Sequence, residues 1–221
     1  MHHCLTNLLN IEKEIQLKIN KTNIIEKRTN IIAVSKNFPI NQILPLINYG
    51  HVDFGENRVQ EAINKWTDIK NKYNKIKLHM IGKLQSNKVK YVVPLFDYIH
   101  TLDNLNLAEK ISQEQIKRKK YLKIFIQINI GRENQKSGIL PEYLDTFYKH
   151  CINDFGLNIV GLMCLPPNDN NSKKYFLEIF ELSKKLKLQK LSMGMSGDYL
   201  EAIEANSTHL RIGSKIFGDR N

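Results

Sequence analysis

Ile31-Ile32-Ala33-Val34-Ser35-Lys36 is the stretch from which the fold is read. Four apolar residues in a row, two Ile and one Val among them, have the pattern of a short strand buried on both faces, as in a parallel sheet covered by helices. The run stops at a lysine, and Asn37-Phe38-Pro39 open a loop. A lysine at such a junction is partly desolvated, which disfavours the ammonium form and makes the free amine a nucleophile toward aldehydes. A solvated lysine that merely ends a strand is the competing reading of the hexapeptide, and the rest of the chain must decide.

Working outward, the same unit repeats. Upstream, Leu5, Leu8, Leu9, Ile11, Ile15 and Ile19 form a helical stripe. Downstream, the spacing predicts strands over 51–54, 77–81, 98–102, 124–128, 159–163, 190–193 and 209–212, each followed by a helical segment. Gly50 is expected to stop the first of these helices, and Ser172 to cap the one running through Phe176, Ile179 and Phe180. Ile116 is read on the apolar stripe of the long helix that begins near Leu105. Eight strands alternating with helices define an α/β chain, a single (β/α)8 TIM barrel with an extra N-terminal helix; an open doubly wound sheet is the alternative. The 221 residues are close to the roughly 250 typical of such barrels, so one domain spanning 1–221 is expected, with no second domain after the last unit.

Composition narrows the function. An apolar fraction of 42% and a charged fraction of 25% fit a soluble globular protein, and no apolar run approaches the roughly 20 residues of a membrane span. The first 25 residues carry Glu12 and Glu14 and lack a signal peptide's apolar block, so a cytoplasmic location is expected. Three cysteines, Cys4, Cys151 and Cys164, without CxxC spacing argue against a disulfide framework or a zinc site. The net charge of +11 invites a nucleic-acid reading, but the lysines are scattered. The tight run Lys117-Arg118-Lys119-Lys120 closes a helix, where cations complement the dipole, and no aromatic residues interleave it. Neither nucleic acid nor membrane is therefore expected as a partner, and a monomer is expected because no stretch looks like an apolar seam.

In a barrel of this kind functional groups sit at the C-terminal ends of the strands, which here carry Lys36, Asn57, Gly82, Thr101, Asn129, Ser196 and Gly213. Met195-Ser196-Gly197 and Gly213-Ser214 each lead into a helix, offering backbone N–H groups, a hydroxyl and the positive end of a helix dipole to an anion; two ordinary serine caps are the plainer alternative. Arg211, two residues before Gly213, should face the mouth while Leu210 and Ile212 face the helices. An amine for an aldehyde, a cradle for a phosphate and a cation between them describe pyridoxal 5'-phosphate held as a Schiff base. An arginine beside the ring nitrogen keeps its proton, so that nitrogen stays an acceptor and the ring is a weakened electron sink.

These residues sit in motifs that resemble the pyridoxal-phosphate homeostasis proteins. The motifs are Val34-Ser35-Lys36, Phe54-Gly55-Glu56-Asn57 through Gln60-Glu61, His79-Met80-Ile81-Gly82-Lys83-Leu84-Gln85-Ser86-Asn87-Lys88, Asn129 through Glu133, Lys136-Ser137-Gly138, Leu191-Ser192-Met193-Gly194-Met195-Ser196, Arg211-Ile212-Gly213 and Ile216-Phe217-Gly218. The resemblance implies a fold like the N-terminal barrel of alanine racemase, with Lys36 as the Schiff-base lysine. It implies phosphate contacts at Ser196, Gly197, Gly213 and Ser214, a ring-nitrogen contact at Arg211, and Asn57 and Met80 around the cofactor. The chain departs from the family pattern at Asn37, where Thr is common, at Arg58, where Tyr is usual, and at Asn206, which replaces a usual glycine.

Racemisation needs a base on each face of the imine, and in racemases with this barrel the second base comes from an additional β-domain. With no residues expected for such a domain, the leading expectation is cofactor storage or delivery in vitamin B6 homeostasis, without robust catalysis. Cofactor-dependent apo-enzymes are the candidate recipients. A small pyridoxal-phosphate-dependent racemase or lyase is the alternative. Lys136 is either a second amine for a departing aldehyde or a solvated loop lysine.

Overall fold

The computed structural model describes residues 2–22 and 29–218. Eight parallel strands close into a barrel in sequence order: β1 (Asn30–Val34), β2 (Asp53–Glu56), β3 (Lys77–Met80), β4 (Tyr98–Leu102), β5 (Lys123–Ile128), β6 (Ile159–Cys164), β7 (Lys190–Ser192) and β8 (His209–Ile212). Pairing of Asn30 through Ala33 with His209 through Ile212 closes the ring, which rules out the open sheet. Helix α1 (His3–Lys21) precedes the barrel, and α2 (Ile40–Tyr49), α3 (Val59–Lys72), α4 (Val89–Leu95), α5 (Leu105–Arg118), α6 (Leu144–Asn153), α7 (Ser172–Lys185), α8 (Tyr199–Glu204) and α9 (Ser214–Phe217) follow the strands in turn. Gly50 ends α2 in the left-handed conformation expected of it, at φ 102°. No described helix is long and apolar enough to cross a membrane.

The main core lies between strands and helices, where Ile31 and Ala33 of β1 meet Leu210 and Ile212 of β8 and the buried faces of the helices. Lys215 donates to Glu14 at 2.9 Å and to Tyr199 at 2.6 Å, which ties α1 to α8 and α9 across the closing seam. A second, smaller apolar cluster of Tyr98, Phe125 and Met163 lies apart from this core. His79, His100 and His209 stack or cross with Tyr98 and Phe125 there. The barrel interior is thus aromatic and polar in place of the branched aliphatic layers common in this fold.

Three expectations are corrected. The second strand lies two residues later than its predicted 51–54, because pairing of Asp53 through Glu56 with Lys77 through Met80 carries Gly55 and Glu56 into the sheet despite their low strand propensity. Ser172 is the first residue of α7 and not its cap; Asn171 holds that position without a capping side-chain bond. Ile116 is 63% exposed, since it falls outside the face that α5 buries through Leu107, Ala108, Ile111 and Gln115.

Candidate functional site

Alternation along β1 points Ile32, Val34 and then Lys36 toward the barrel axis. Gly55 lacks a side chain on the facing strand; a Cβ there would stand 2.9 Å from Ile32 and 3.1 Å from Ile81, so its absence lets these groups pack inside. Lys36 is held from both flanks. Ser35 Oγ donates to Glu56 Oε1 at 2.8 Å, and Lys65 Nζ donates to the Ser35 carbonyl at 2.8 Å. On the other side the Asn37 N–H donates to Glu61 Oε1 at 2.6 Å, with Asn37 in the left-handed region at φ 66°. Lys65 joins both carboxylates, and Trp66 Nε1 donates to Glu56 at 2.9 Å. Burial pushes Glu61 up, but the Lys65 ammonium and the Asn37 N–H outweigh it and hold its pKa below the usual range. The clamp was not read from the sequence; its one local trace is the i,i+4 spacing of Glu61 and Lys65.

Two adjoining cavities open at the mouth. One of about 390 Å3 is lined by Lys36, Asn57, Ser196, Gly197, Arg211, Gly213 and Ser214, with Val34, Ile81, Leu165 and Met195. The other, about 380 Å3, shares Lys36, Asn57, Ile81 and Leu165 and adds Gly82, Lys83, Thr101, Gln127, Asn129 and Lys136 among its walls. All seven strand-end residues singled out in the sequence line one cavity or both. Met80 does not: it packs outward into the main core, and Ile81 takes the lining position, because neighbouring strand residues face opposite sides. Arg58 is exposed and lines neither cavity.

The two hydroxyl-bearing turns act as one cradle. Ser196 Oγ accepts the N–H groups of Gly213 and Lys215, each at 3.3 Å, so it reaches across to the start of α9. Its own hydroxyl hydrogen is left for an acceptor in the cavity. Nothing lies within 4 Å of a Cβ built on Gly197, and one on Gly213 would meet Val34 at 3.4 Å. Asp198 Oδ1 accepts the Met195 N–H at 2.6 Å and fixes the turn.

Arg211 is buried at the cavity floor, where Nη1 donates to Ser192 Oγ at 2.6 Å and Nη2 to the Cys164 carbonyl at 2.8 Å. Among the described residues no carboxylate forms an ion pair with it. Burial lowers its pKa, pushes the Cys164 thiol up to about 12 and drives His100 well below its usual value. Asn57 Oδ1, buried on the wall shared by both cavities, has no hydrogen-bond partner among the described residues. A buried acceptor of this kind is open to a donor from water or from a ligand. Lys136, 2.6 Å from Glu133 Oε2, lines the second cavity with its side chain 37% exposed. Asn129 ties its loop by donating to the Glu133 carbonyl at 2.9 Å.

A closed barrel of eight parallel strands with helices between them is the architecture of the alanine racemase N-terminal domain, whose family model matches residues 14–221. Alanine racemase of Clostridium difficile shares the fold, with a TM-score of 0.72 at 15% identity over 99% of this chain and 57% of that one. Within that class, this chain belongs to the pyridoxal phosphate homeostasis proteins. The Haemophilus influenzae pyridoxal phosphate homeostasis protein is 39% identical over 225 residues, covering 97% of this chain and 95% of the relative. PipY of Synechococcus elongatus, solved with PLP bound, superposes with a TM-score of 0.78 at 30% identity over 93% of this chain and 99% of that one.

Proposed function

We propose that this chain binds pyridoxal 5'-phosphate at the barrel mouth and serves vitamin B6 homeostasis by holding the cofactor, for storage or for delivery to apo-enzymes, without robust turnover of its own. The observation that carries this reading is the convergence of Lys36, the Ser196–Gly213 cradle and Arg211 on one cavity of about 390 Å3, within the range of small-molecule pockets. The donor set suits the molecule. Ser196 and the free backbone around Gly197, Gly213 and Ser214 receive the phosphate, Arg211 offers N–H donors to the ring nitrogen, and Asn57 Oδ1 accepts from the ring hydroxyl. When bound, the cofactor supplies an aldehyde that condenses with amines and a ring that withdraws electrons.

The residues favour holding over turnover. Lys36, clamped through Ser35 and Asn37, would hold the cofactor by condensing its amine with the aldehyde, the carbonyl oxygen leaving as water. Arg211 keeps its proton, so a ring nitrogen facing it remains an acceptor and electron withdrawal is weak. Among the described residues lining this cavity, Lys36 is the side chain suited to act as a base, whereas racemisation needs one on each face. We take the chain as one domain and a monomer, since the exposed large apolar side chains among the described residues are spread over six helices and the loops between them.

The test is the absorption spectrum of freshly purified protein before and after borohydride, in wild type and in Lys36→Ala. Wild type should carry a visible band that borohydride converts to a stable adduct on Lys36, and Lys36→Ala should carry neither. An adduct on another residue overturns the site. Sustained turnover of any member of a panel of L-amino acids at ordinary enzymic rates overturns the carrier reading.

A further inference from the structure

A polar line that the proposed function leaves unused runs through the barrel interior. Arg211 Nη1 donates to Ser192 Oγ at 2.6 Å, and that oxygen lies 2.8 Å from His100 Nδ1. His100 Nε2 lies 3.0 Å from His79 Nδ1, and His79 Nε2 lies 3.0 Å from Asp53 Oδ1. All five side chains belong to buried residues, and His79, His100 and Ser192 are fully enclosed. The line begins at the mouth with Arg211 and ends on Asp53, the first residue of β2, which lines a groove of about 410 Å3 beside α1 at the opposite end of the barrel.

The two ends fix every proton between them. A guanidinium only donates, so Ser192 Oγ accepts from it and turns its own hydrogen to His100 Nδ1. A neutral ring that accepts at Nδ1 carries its proton on Nε2; His100 therefore donates to His79 Nδ1, and His79 donates from Nε2 to the Asp53 carboxylate. Reversing either neutral ring sets two donors or two acceptors face to face. The surroundings keep both rings neutral. His79 stacks on Tyr98 of β4 at 4.2 Å and faces Asp53 of β2 and His209 of β8, with His51, Lys77 and Asp97 nearby. His100 stacks on Phe125 of β5 at 4.4 Å and faces Ser192 of β7 together with His209 and Arg211 of β8. His209 is not a link, since its ring nitrogens meet Thr208 Oγ1 at 2.8 Å and Asn30 Nδ2 at 3.4 Å.

We propose that Ser192, His100, His79 and Asp53 are positioning residues for Arg211, forming a one-way hydrogen-bond relay that fixes the guanidinium's rotation and keeps its remaining donors turned to the mouth. The anion at the end of Arg211's hydrogen-bond line is thus four bonds away, at the far rim. This inference rests on the reading of Arg211 as the donor to the cofactor's ring nitrogen. A donor pinned by a directional chain meets an acceptor in one orientation, whereas an arginine released from Ser192 can turn toward other carbonyls.

Histidine-selective 15N NMR of the protein without cofactor reads the relay directly. His79 and His100 should each appear as a single neutral tautomer protonated at Nε2 at pH 8. Ser192→Ala should cost His100 that single tautomer, shift the visible band of the bound cofactor and weaken pyridoxal 5'-phosphate binding about tenfold. Ser192→Thr, which keeps the hydroxyl, should restore all three. Asp53→Ala should loosen the tautomers of both histidines and move the band in the same direction from the opposite end of the barrel. A wild-type His100 protonated on Nδ1, or Ser192→Ala with unchanged band and affinity, overturns the relay. Should no variant fold, the wild-type tautomers decide alone. Wild type that forms no visible band defeats the cofactor reading, while the tautomers still report whether the relay exists.

Discussion

Acidification should expose the cost of enclosing histidine inside the barrel. His209 is buried at the end of β8, and burial pushes its pKa down to about 3. In the unfolded chain its pKa is about 6.5, so below that value the unfolded state takes up a proton that the folded state refuses. The contribution to stability is complete above pH 6.5 and is lost as pH falls toward the folded pKa. At pH 5 the unfolded ring lies about 1.5 units below its pKa, so the loss from this one group is about 2 kcal/mol relative to pH 8. That figure barely depends on the folded value once it lies below about 4. Urea unfolding of wild type and His209→Gln at pH 8 and pH 5 isolates it, because glutamine can keep contacts to Thr208 and Asn30 but does not titrate. Wild type should lose about 2 kcal/mol more than the variant between the two pH values. Equal losses would mean that His209 titrates normally and that the interior admits water or charge.

Glu56→Ala removes the acceptor shared by Ser35, Lys65 and Trp66 and should cost about 2–4 kcal/mol in urea unfolding, since the buried Trp66 N–H and Ser35 hydroxyl lose their acceptor while Lys65 keeps Glu61; a loss under about 1 kcal/mol would refute the clamp. Gly82→Ala would place a Cβ 2.2 Å from the Asn57 carbonyl oxygen and should cost about 1–3 kcal/mol. Gly197→Ala, with nothing within 4 Å, should change stability by no more than about 0.5 kcal/mol by the same measurement. Arg211→Ala should shift the visible band of the loaded protein and weaken cofactor binding about tenfold in a spectral titration; an unchanged band and affinity would count against its place beside the ring nitrogen.

Backbone angles account for the residue type at two asparagines. Asn37 and Asn206 lie at φ 66° and 61°, in the left-handed region that asparagine enters more readily than most residues with a side chain. Asparagine at 206 therefore suits the turn. Arg58, by contrast, is exposed and lines neither cavity.

Lys36, Arg211 and the two serine turns were legible from the chain alone because each is a local fact. An apolar run ends, a residue two places along faces the same side, and a small polar pair opens a helix. Met80, which the resemblance alone sets around the cofactor, packs into the main core, since alternation turns it to the face opposite Ile81. Local pattern carries no information about what lies across the barrel. Residues 53, 79, 100, 192 and 211 come from five strands, and the closed ring alone brings them into a single file of hydrogen bonds. Sequence determined the eightfold alternation and the residues at its mouth, because hydrophobic period and turn chemistry act over a few residues. Tertiary structure decided the clamp around Lys36, the reach of Ser196 to α9 and the polar interior, because buried donors find their acceptors through space and not along the chain.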